Sequence, residues 1–191
     1  MQNVSKICFF GPSGSGKNTV GYTAEHIIYE KYGVDAIRVG HLNIAEPLHY
    51  IQSHIYETLG LKNQTQDGKL LQFLIEHFGM KTICDVFVKE LDKSVDIFHP
   101  DVSPTFVLNT DCRNNAYPIL KENGFIFIRI ETKPEIRVRR LKNRKDITPA
   151  NLNKELEQTN QIIADYTIDN NGTLQDLEEE VRKVIKQLSK I

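Results

Sequence analysis

The sequence predicts an α/β protein in which a five-stranded parallel sheet lies between two layers of helices. Three observations lead to this prediction. Short apolar runs alternate with segments of helical spacing along the 191 residues, and a helix between two successive strands makes them parallel. A glycine-rich turn directly follows the first apolar run and opens a helix. The length is near that of one domain, so we expect a single domain over 1–191 with its site at the carboxyl ends of the strands.

The first half of the chain is predicted to contain two strands and four helices. Val4–Phe10 has the apolar character of a buried strand, and the glycine-rich turn separates it from the first helix. Gly60 and Gly79 are expected to end helices, since glycine is common just after a helix terminus. The predicted strands cover 4–10 and 34–39, and the predicted helices cover 16–31, 44–59, 69–78 and 81–91.

The second half is predicted to contain three further strands, each followed by a helix. Thr132 is expected to cap the helix that Pro134 opens, with Glu135 at the capping-box position. Thr148 and Pro149 predict another helix start of the same kind. The predicted strands cover 106–109, 125–130 and 166–169, and helices are expected at 114–123, from 132 onward and at 173–190.

Composition and charge narrow the function classes. The net charge is −1, from 24 Lys and Arg against 25 Asp and Glu, and the pI is near 6.6. Nucleic-acid-binding domains usually have a pI above about 9, so we expect no nucleic-acid partner. No apolar run approaches the roughly 18 residues of a membrane span. Cys8, Cys84 and Cys112 lack metal-ligand spacing, which favours a reducing, cytoplasmic setting and buried thiols.

The strongest motif lies between the first strand and the first helix. Its glycines let backbone N–H groups converge at a helix N-terminus, which forms a cradle for phosphate. Lys17 adds a charge that reaches the β- and γ-phosphates, so the motif predicts a site for ATP. Asn18 occupies the position where the usual pattern has a Mg²⁺-binding Ser or Thr, and Thr19 is the candidate hydroxyl near the metal. The expected nucleotide-binding residues are Gly11, Ser13, Gly14, Ser15, Gly16, Lys17, Asn18 and Thr19.

Asp111 and Arg113 follow the predicted strand at 106–109. An Asp at the carboxyl end of such a strand is suited to orienting Mg²⁺ through water, and the alternative for Asp111 is a helix cap before Asn114. Arg113 has the geometry to clamp a phosphate with two hydrogen bonds, and its alternative is a surface salt bridge. Both residues are therefore catalytic candidates.

Few residues after the second strand are suited to act as a base for an acceptor hydroxyl. His41 and Glu46 are the only candidates there. A phosphate acceptor is already anionic and needs positioning and charge neutralisation more than a base. The sequence thus favours a phosphate-bearing acceptor, with Arg113 and, more weakly, Arg38 as the residues that would contact it.

A strongly basic segment covers 137–145, where six of nine residues are Lys or Arg. At 100° per residue, Arg137, Arg140 and Arg144 fall on one side of a helix. Three such arginines suit a triphosphate whose charge increases during transfer. A solvated helix face and a nucleic-acid-binding patch are the alternatives. The segment after Lys145 is expected to form a short lid that excludes water when it closes.

These motifs together resemble those of the adenylate-kinase-like P-loop kinases. Phage-type deoxynucleoside monophosphate kinases share the Gly-Lys-x-Thr of 16–19 and an Ala-Asp/Glu-Pro-Leu stretch, here 45–48. Segments 69–74 and 110–116 are also similar to theirs. The resemblance implies a three-layer P-loop kinase fold, with an acceptor-binding helical segment at about 41–95 and a lid at about 137–153. It also implies ATP and Mg²⁺ as cofactors.

The C-terminal third is similar to dephospho-CoA kinases. Arg140–Arg144 resembles their Arg-Leu-x-x-Arg, and 164–174 resembles their last strand with its Asn-x-Gly turn. This resemblance implies that the turn containing Asn171 and Gly172 lies against adenine and that Arg140 stacks on the base. It further implies that Arg144 contacts phosphate.

The leading hypothesis is ATP-dependent phosphoryl transfer to a nucleoside monophosphate, with deoxynucleotides preferred. In this scheme Lys17, Asp111, Arg113, Arg140 and Arg144 are the catalytic residues, and Thr19 and Asp111 order the metal. The Asp-Ala-Asp stretch of dephospho-CoA kinases is absent after the second strand, which places that substrate second. A kinase for another small metabolite and an ATP-binding module without turnover are the remaining alternatives.

Overall fold

A computed structural model describes residues 4–62, 67–97, 105–142 and 159–188. Within these residues all five predicted strands are present and pair in parallel, in the order β2-β3-β1-β4-β5. The predicted α/β class with a five-stranded parallel sheet is confirmed. The strands are β1 (Val4–Phe10), β2 (Arg38–His41), β3 (Thr105–Asn109), β4 (Ile126–Glu131) and β5 (Tyr166–Asp169).

Seven helices occur in the described part of the chain. They are α1 (Lys17–Tyr32), α2 (Glu46–Thr58), α3 (Gly68–Phe78), α4 (Met80–Ile97), α5 (Tyr117–Glu122), α6 (Pro134–Lys142) and α7 (Leu174–Leu188). The helix start predicted at 148–149 and the part of the predicted lid after 142 lie outside the described residues. None of the described helices combines the length and apolar character needed to cross a bilayer.

The central strand β1 separates two apolar cores. Ile7 and Phe9 face the layer formed by α1 and α7, whereas Cys8 and Phe10 face the layer formed by α2 to α5. All four side chains are fully buried. A parallel strand covered on both faces is apolar at successive positions, which is why the short run before the glycine-rich turn predicts β1 so well. The fold therefore has three layers, and the glycine-rich turn directly follows its most buried strand.

Two predicted elements are shifted in the structure. The second strand was expected at 34–39, but Val34 lies exposed in a turn after α1 and pairing begins at Arg38. The helix expected at 114–123 begins at Tyr117, because 114–116 form a turn closed by hydrogen bonds to the Arg113 and Asn114 carbonyls. In both cases the strand or helix propensity of the segment yields to a local turn.

The Asp67 carboxylate joins α2 to α3. It accepts hydrogen bonds from the N–H groups of Lys69 and Leu70, both at 3.1 Å, and from the Tyr56 hydroxyl at 2.8 Å. The backbone N–H of Leu70 and the Tyr56 hydroxyl stabilise the ionised form and lower the pKa of Asp67. The same hydroxyl–carboxylate bond raises the pKa of Tyr56. Asp67 is therefore both the N-cap of α3 and its link to α2.

We expect Asp67→Asn to lower stability at pH 7 and to have little effect in acid. Because the folded-state pKa of Asp67 lies below its unfolded value of about 3.9, its stabilisation is present above that value and is lost as pH falls through the folded pKa. Urea unfolding at pH 7 and at pH 3 measures the difference between wild type and variant. Asp92→Asn, at an exposed position of α4, is the control. An equal difference at both pH values would contradict the prediction.

Candidate active site

We call the loop between β1 and α1, residues 11–16, the phosphate loop after its predicted role, and its conformation depends on two glycines. Gly14 and Gly16 have φ of 80° and 92°, in the left-handed region that glycine adopts without strain. Their surroundings also exclude side chains. A Cβ on Gly14 would lie 2.8 Å from the Arg137 carbonyl oxygen, and one on Gly16 would collide with the Asn170 side-chain amide. Positions 14 and 16 thus require glycine, because φ is positive at both and because a side chain at either would collide with its neighbours.

Four side chains from later segments of the chain donate to carbonyl oxygens of the phosphate loop. Arg137 Nε donates to the Ser13 oxygen at 3.0 Å. The Ser15 oxygen accepts from Asn170 Nδ2 at 2.7 Å and from Thr132 Oγ1 at 3.0 Å. Arg140 Nη1 lies 3.5 Å and 3.4 Å from the Gly14 and Ser15 oxygens. We call Thr132, Arg137, Arg140 and Asn170 the outer donors.

Lys17 begins α1 and lies against the phosphate loop. Its ammonium donates to the carbonyl oxygens of Gly11 at 2.8 Å and Pro12 at 3.3 Å. The Ser15 hydroxyl is fully buried, and the described residues offer it no hydrogen-bond partner. An ammonium, an orphaned buried hydroxyl and the N-terminus of a 16-residue helix together suit a bound phosphate. These residues therefore fit the triphosphate of ATP.

The two residues predicted to order Mg²⁺ belong to different elements, the first turn of α1 and the segment after β3. Asn18 and Thr19 are exposed on the first turn of α1. Thr19 borders an open groove of about 400 Å³ between α1 and α7, lined also by Tyr22, Thr23, His26, Leu174 and Glu178. Asp111 follows β3, on the opposite side of β1 from β5 and α7. Among the described residues, no three His, Cys, Asp or Glu side chains are grouped as a metal site.

The Asp111 carboxylate binds the backbone ahead of α2. Its Oδ1 accepts from the Ile44 N–H at 2.9 Å and from Asn109 Nδ2 at 2.8 Å, and its Oδ2 accepts from the Ala45 N–H at 2.7 Å. The sequence offered a metal role or a cap before Asn114. The geometry places the cap on the approach to α2 and not before Asn114, which fixes the start of the predicted acceptor-binding segment, and the metal role stays a prediction.

The other acceptor-side candidates lie on or shortly after β2 and β3. Arg113 is exposed beyond the end of β3, and no described residue forms a hydrogen bond or ion pair with its guanidinium. His41 Nε2 lies 3.0 Å from Glu25 Oε2, and its ring packs on Tyr22 at 5.1 Å between centroids. Glu46 is exposed at the start of α2. On this side, the Arg113 guanidinium therefore presents N–H donors to solvent, and the Glu25 carboxylate is placed to orient the His41 imidazole.

The acceptor-side prediction for Arg38 is wrong. Arg38 begins β2 and pairs with Thr105, which pairs with Val4, so it lies at the amino edge of the sheet. Its guanidinium donates to the carbonyl oxygens of Val34 and Ile37. The phosphate loop lies at the carboxyl edge, a full strand length away.

The turn after β5 lies beside the phosphate loop. Arg140 Nη2 is 3.3 Å from Asn170 Oδ1 and 3.4 Å from its carbonyl oxygen. Burial, followed by repulsion from Arg139, lowers the pKa of Arg140. Asn171 accepts from the Lys133 N–H at 2.7 Å, and Gly172 is exposed beside the Asp176 carboxylate. Arg144 lies outside the described residues.

Two of the outer donors have roles that the sequence did not indicate. Arg137 was grouped with the arginines that would face a triphosphate, but it is 4% exposed and bonded to the Ser13 carbonyl. Asn170 was noted only as part of an Asn-x-Gly turn, although its side chain is buried against Ser15. The helical wheel placed Arg137 on the correct face, but it gives no distance to a loop 124 residues earlier.

Solved structures with the same arrangement are P-loop kinases. A sugar kinase from Janibacter sp. is 16% identical, with 98% of this chain and 95% of that chain covered and a TM-score of 0.56. Shikimate kinase from Acinetobacter baumannii, solved with shikimate, is 18% identical, with 99% and 95% covered and a TM-score of 0.53. APS kinase from Mycobacterium tuberculosis, solved with AMPPNP and APS, is 15% identical, with 99% of both covered and a TM-score of 0.52.

Comparisons of sequence alone give no such likeness. No protein-family model and no curated protein sequence matches this chain. The structural similarity at low identity shows that the chain has the P-loop kinase fold, which confirms the predicted fold class.

We expect Asp111→Asn to destabilise the protein by about 1.5–3 kcal/mol, the usual range for hydrogen bonds to a charged group. The amide keeps one acceptor oxygen but its NH₂ group opposes the N–H of Ala45. Denaturant unfolding measures the loss, and ATP binding in the presence of Mg²⁺ should remain near that of wild type. Unchanged stability with lost Mg²⁺-dependent binding would instead support the metal role.

Proposed function

We propose that this protein transfers the γ-phosphoryl group of ATP to a small phosphorylated metabolite, with deoxynucleoside monophosphates as the first candidate acceptors. The observation that carries the proposal is the phosphate loop, which presents Lys17, a buried free hydroxyl and the α1 N-terminus at one point. Phosphoryl transfer depends mainly on positioning and on neutralising charge, and these are the groups that perform both tasks.

ATP would lie along the side of the sheet formed by β4 and β5. Lys17 and the loop N–H groups would hold the β- and γ-phosphates, with Arg144 as a further phosphate contact. Arg140 and the turn at Asn171 and Gly172 would contact the adenosine, since they lie directly beside the loop. Mg²⁺ supplies neutralisation of the phosphate oxygens when bound, and it keeps several waters in most sites. Asn18 and Thr19 are the nearest polar side chains that follow Lys17 on α1.

The acceptor would lie on the side formed by β2, β3 and α2. The Arg113 guanidinium has no partner among the described residues and suits a monophosphate, because its fork of N–H donors matches phosphate oxygens. Asp111 supports this side by fixing the backbone at Ile44 and Ala45. The similarity of 45–48 and 110–116 to phage-type deoxynucleoside monophosphate kinases concerns the same two segments.

A hydroxyl-bearing metabolite is the second candidate acceptor. The observation in its favour is the His41–Glu25 pair, since a carboxylate that orients an imidazole is suited to accept a hydroxyl proton. The shikimate kinase that shares this fold was solved with a molecule of that class. Dephospho-CoA, indicated by the resemblance at 164–174, also belongs to this group.

An acceptor panel tests the proposal directly. ADP release from ATP and Mg²⁺ is measured with the four deoxynucleoside monophosphates, the ribonucleoside monophosphates, dephospho-CoA, shikimate and gluconate. Turnover with one or a few monophosphates supports the leading candidate, and turnover with a hydroxyl acceptor alone supports the second. ATP binding without turnover on any acceptor would reject the nucleoside monophosphate candidates, in favour of a metabolite outside the panel or a binding module.

We expect Lys17→Ala to lower turnover at least 10²–10³-fold, or about 2.7–4 kcal/mol of barrier, the usual cost of one well-placed donor. Lys17 is half-buried at the loop and Lys31 is exposed at the other end of α1, so Lys31→Ala is the matched control. Both variants should unfold at temperatures near that of wild type. Near-normal turnover by Lys17→Ala would refute the assignment of the phosphate loop.

We expect Arg113→Met to raise KM for a monophosphate acceptor at least 10-fold, because it removes a bidentate phosphate contact. ATP affinity should not change, since Arg113 follows β3 and the nucleotide side is formed by β4 and β5. Lys121→Met, at another exposed cation on α5, is the control for loss of surface charge. An unchanged acceptor KM, or an equal loss in both variants, would remove Arg113 from the site.

A further inference from the structure

The peptide groups of the phosphate loop are held in place from outside the loop. In a trans peptide the C=O and the following N–H point in opposite directions. The Ser13 carbonyl points toward Arg137, so the N–H of Gly14 points away from Arg137. The Ser15 carbonyl points toward Asn170 and Thr132, so the N–H of Gly16 points away from them. The outer donors thereby fix the directions of the N–H groups that a phosphate would need.

Arg137 differs from the other outer donors because it is both charged and buried, whereas Asn170 is as buried but neutral and Arg140 is charged but partly exposed. Its side chain is 4% exposed and its Nε donates to Ser13 at 3.0 Å. Its own carbonyl oxygen lies where a Cβ on Gly14 would be 2.8 Å away, so helix α6 is packed directly against the loop. Burial of a guanidinium carries a desolvation penalty that an apolar residue of similar length would avoid. A packing role alone does not need that charge.

We propose that Arg137 is a positioning residue for the triphosphate of ATP, and this inference rests on the proposed function above. Arg137 acts through the loop: it orients the peptide between Ser13 and Gly14 and places a positive charge behind the cradle. Preorganised dipoles and fixed charge of this kind favour bound phosphate without reorganisation at the moment of binding. The expected effect is therefore on the phosphates and not on the base.

The position of Arg140 allows an effect on the phosphates, expected for Arg137, to be distinguished from an effect on the base, expected for Arg140. The Arg140 guanidinium is partly exposed, and its contacts with the loop are 3.4–3.5 Å long. By resemblance it stacks on adenine, which would make its loss specific for nucleotides. Arg137, being buried under the loop, should affect ATP and a triphosphate without a base by the same factor. Inorganic tripolyphosphate is such a ligand.

The test compares Arg137→Met, Arg137→Lys and the control Arg139→Met. Arg139 is on the same helix and exposed, so its variant removes an equal charge without touching the loop. Isothermal titration measures Kd for Mg²⁺–ATP and for Mg²⁺–tripolyphosphate, and thermal unfolding measures stability. We expect Arg137→Met to weaken both ligands at least 10-fold and by similar factors. Arg137→Lys should recover part of the affinity, and Arg139→Met should bind as wild type does.

Three results would overturn the inference. The first is an Arg137→Met protein that is less stable but binds both ligands normally, which would make Arg137 a packing residue. The second is a loss confined to ATP, which would place its effect at the adenosine. The third is an equal loss in Arg139→Met, which would reduce the effect to net charge. If Arg137→Met does not fold, Arg137→Lys carries the same comparison. Failure of wild type to bind either ligand would reject the proposed function itself.

Discussion

The direction of each peptide group in residues 11–16 is the constraint on which the rest of the site depends. A phosphate is bound there only if N–H groups converge, and converging N–H groups require the carbonyl oxygens to point outward. Outward carbonyls next to buried elements must be satisfied, because an unpaired buried carbonyl is costly. The outer donors satisfy the oxygens of Ser13 and Ser15. The loop that follows β1 is therefore held in place by donors from three later segments. These donors lie just after β4, on α6 and just after β5.

The strand order explains why those donors are available. With β1 in the centre, its carboxyl end has β4 and β5 on one side and β3 and β2 on the other. The first side brings Thr132, Arg137 and Asn170 to the loop, whereas the second side brings Asp111 to the approach to α2. The carboxyl edge of the sheet therefore has two flanks that meet at the phosphate loop, one formed by β4 and β5 and one by β3 and β2.

The features that the sequence predicted correctly are those set by residues that lie close together along the chain. The apolar run of β1, the glycines of the loop and Lys17 lie within 14 residues, and their spacing alone indicates strand, cradle and helix. The features that were missed depend on contacts between distant segments. Asp111 binds N–H groups 66 and 67 residues earlier, and Arg137 binds a carbonyl 124 residues earlier. Arg38 was misplaced because β2 starts four residues later than its composition indicates, which puts the side chain at the amino edge of the sheet.

The register of the sheet bears on the choice between the two acceptor classes. His41 pairs with Leu108, which pairs with Ile7, and Gly11 follows four residues later. At about 3.3 Å per residue the backbone of His41 is therefore about 13 Å short of the loop along the strand direction. Arg113 follows the last residue of β3 by four residues, outside the paired register, so the register does not set its level. A proton acceptor must reach the attacking hydroxyl within hydrogen-bond distance. The register therefore weighs against His41 as the base for a hydroxyl acceptor.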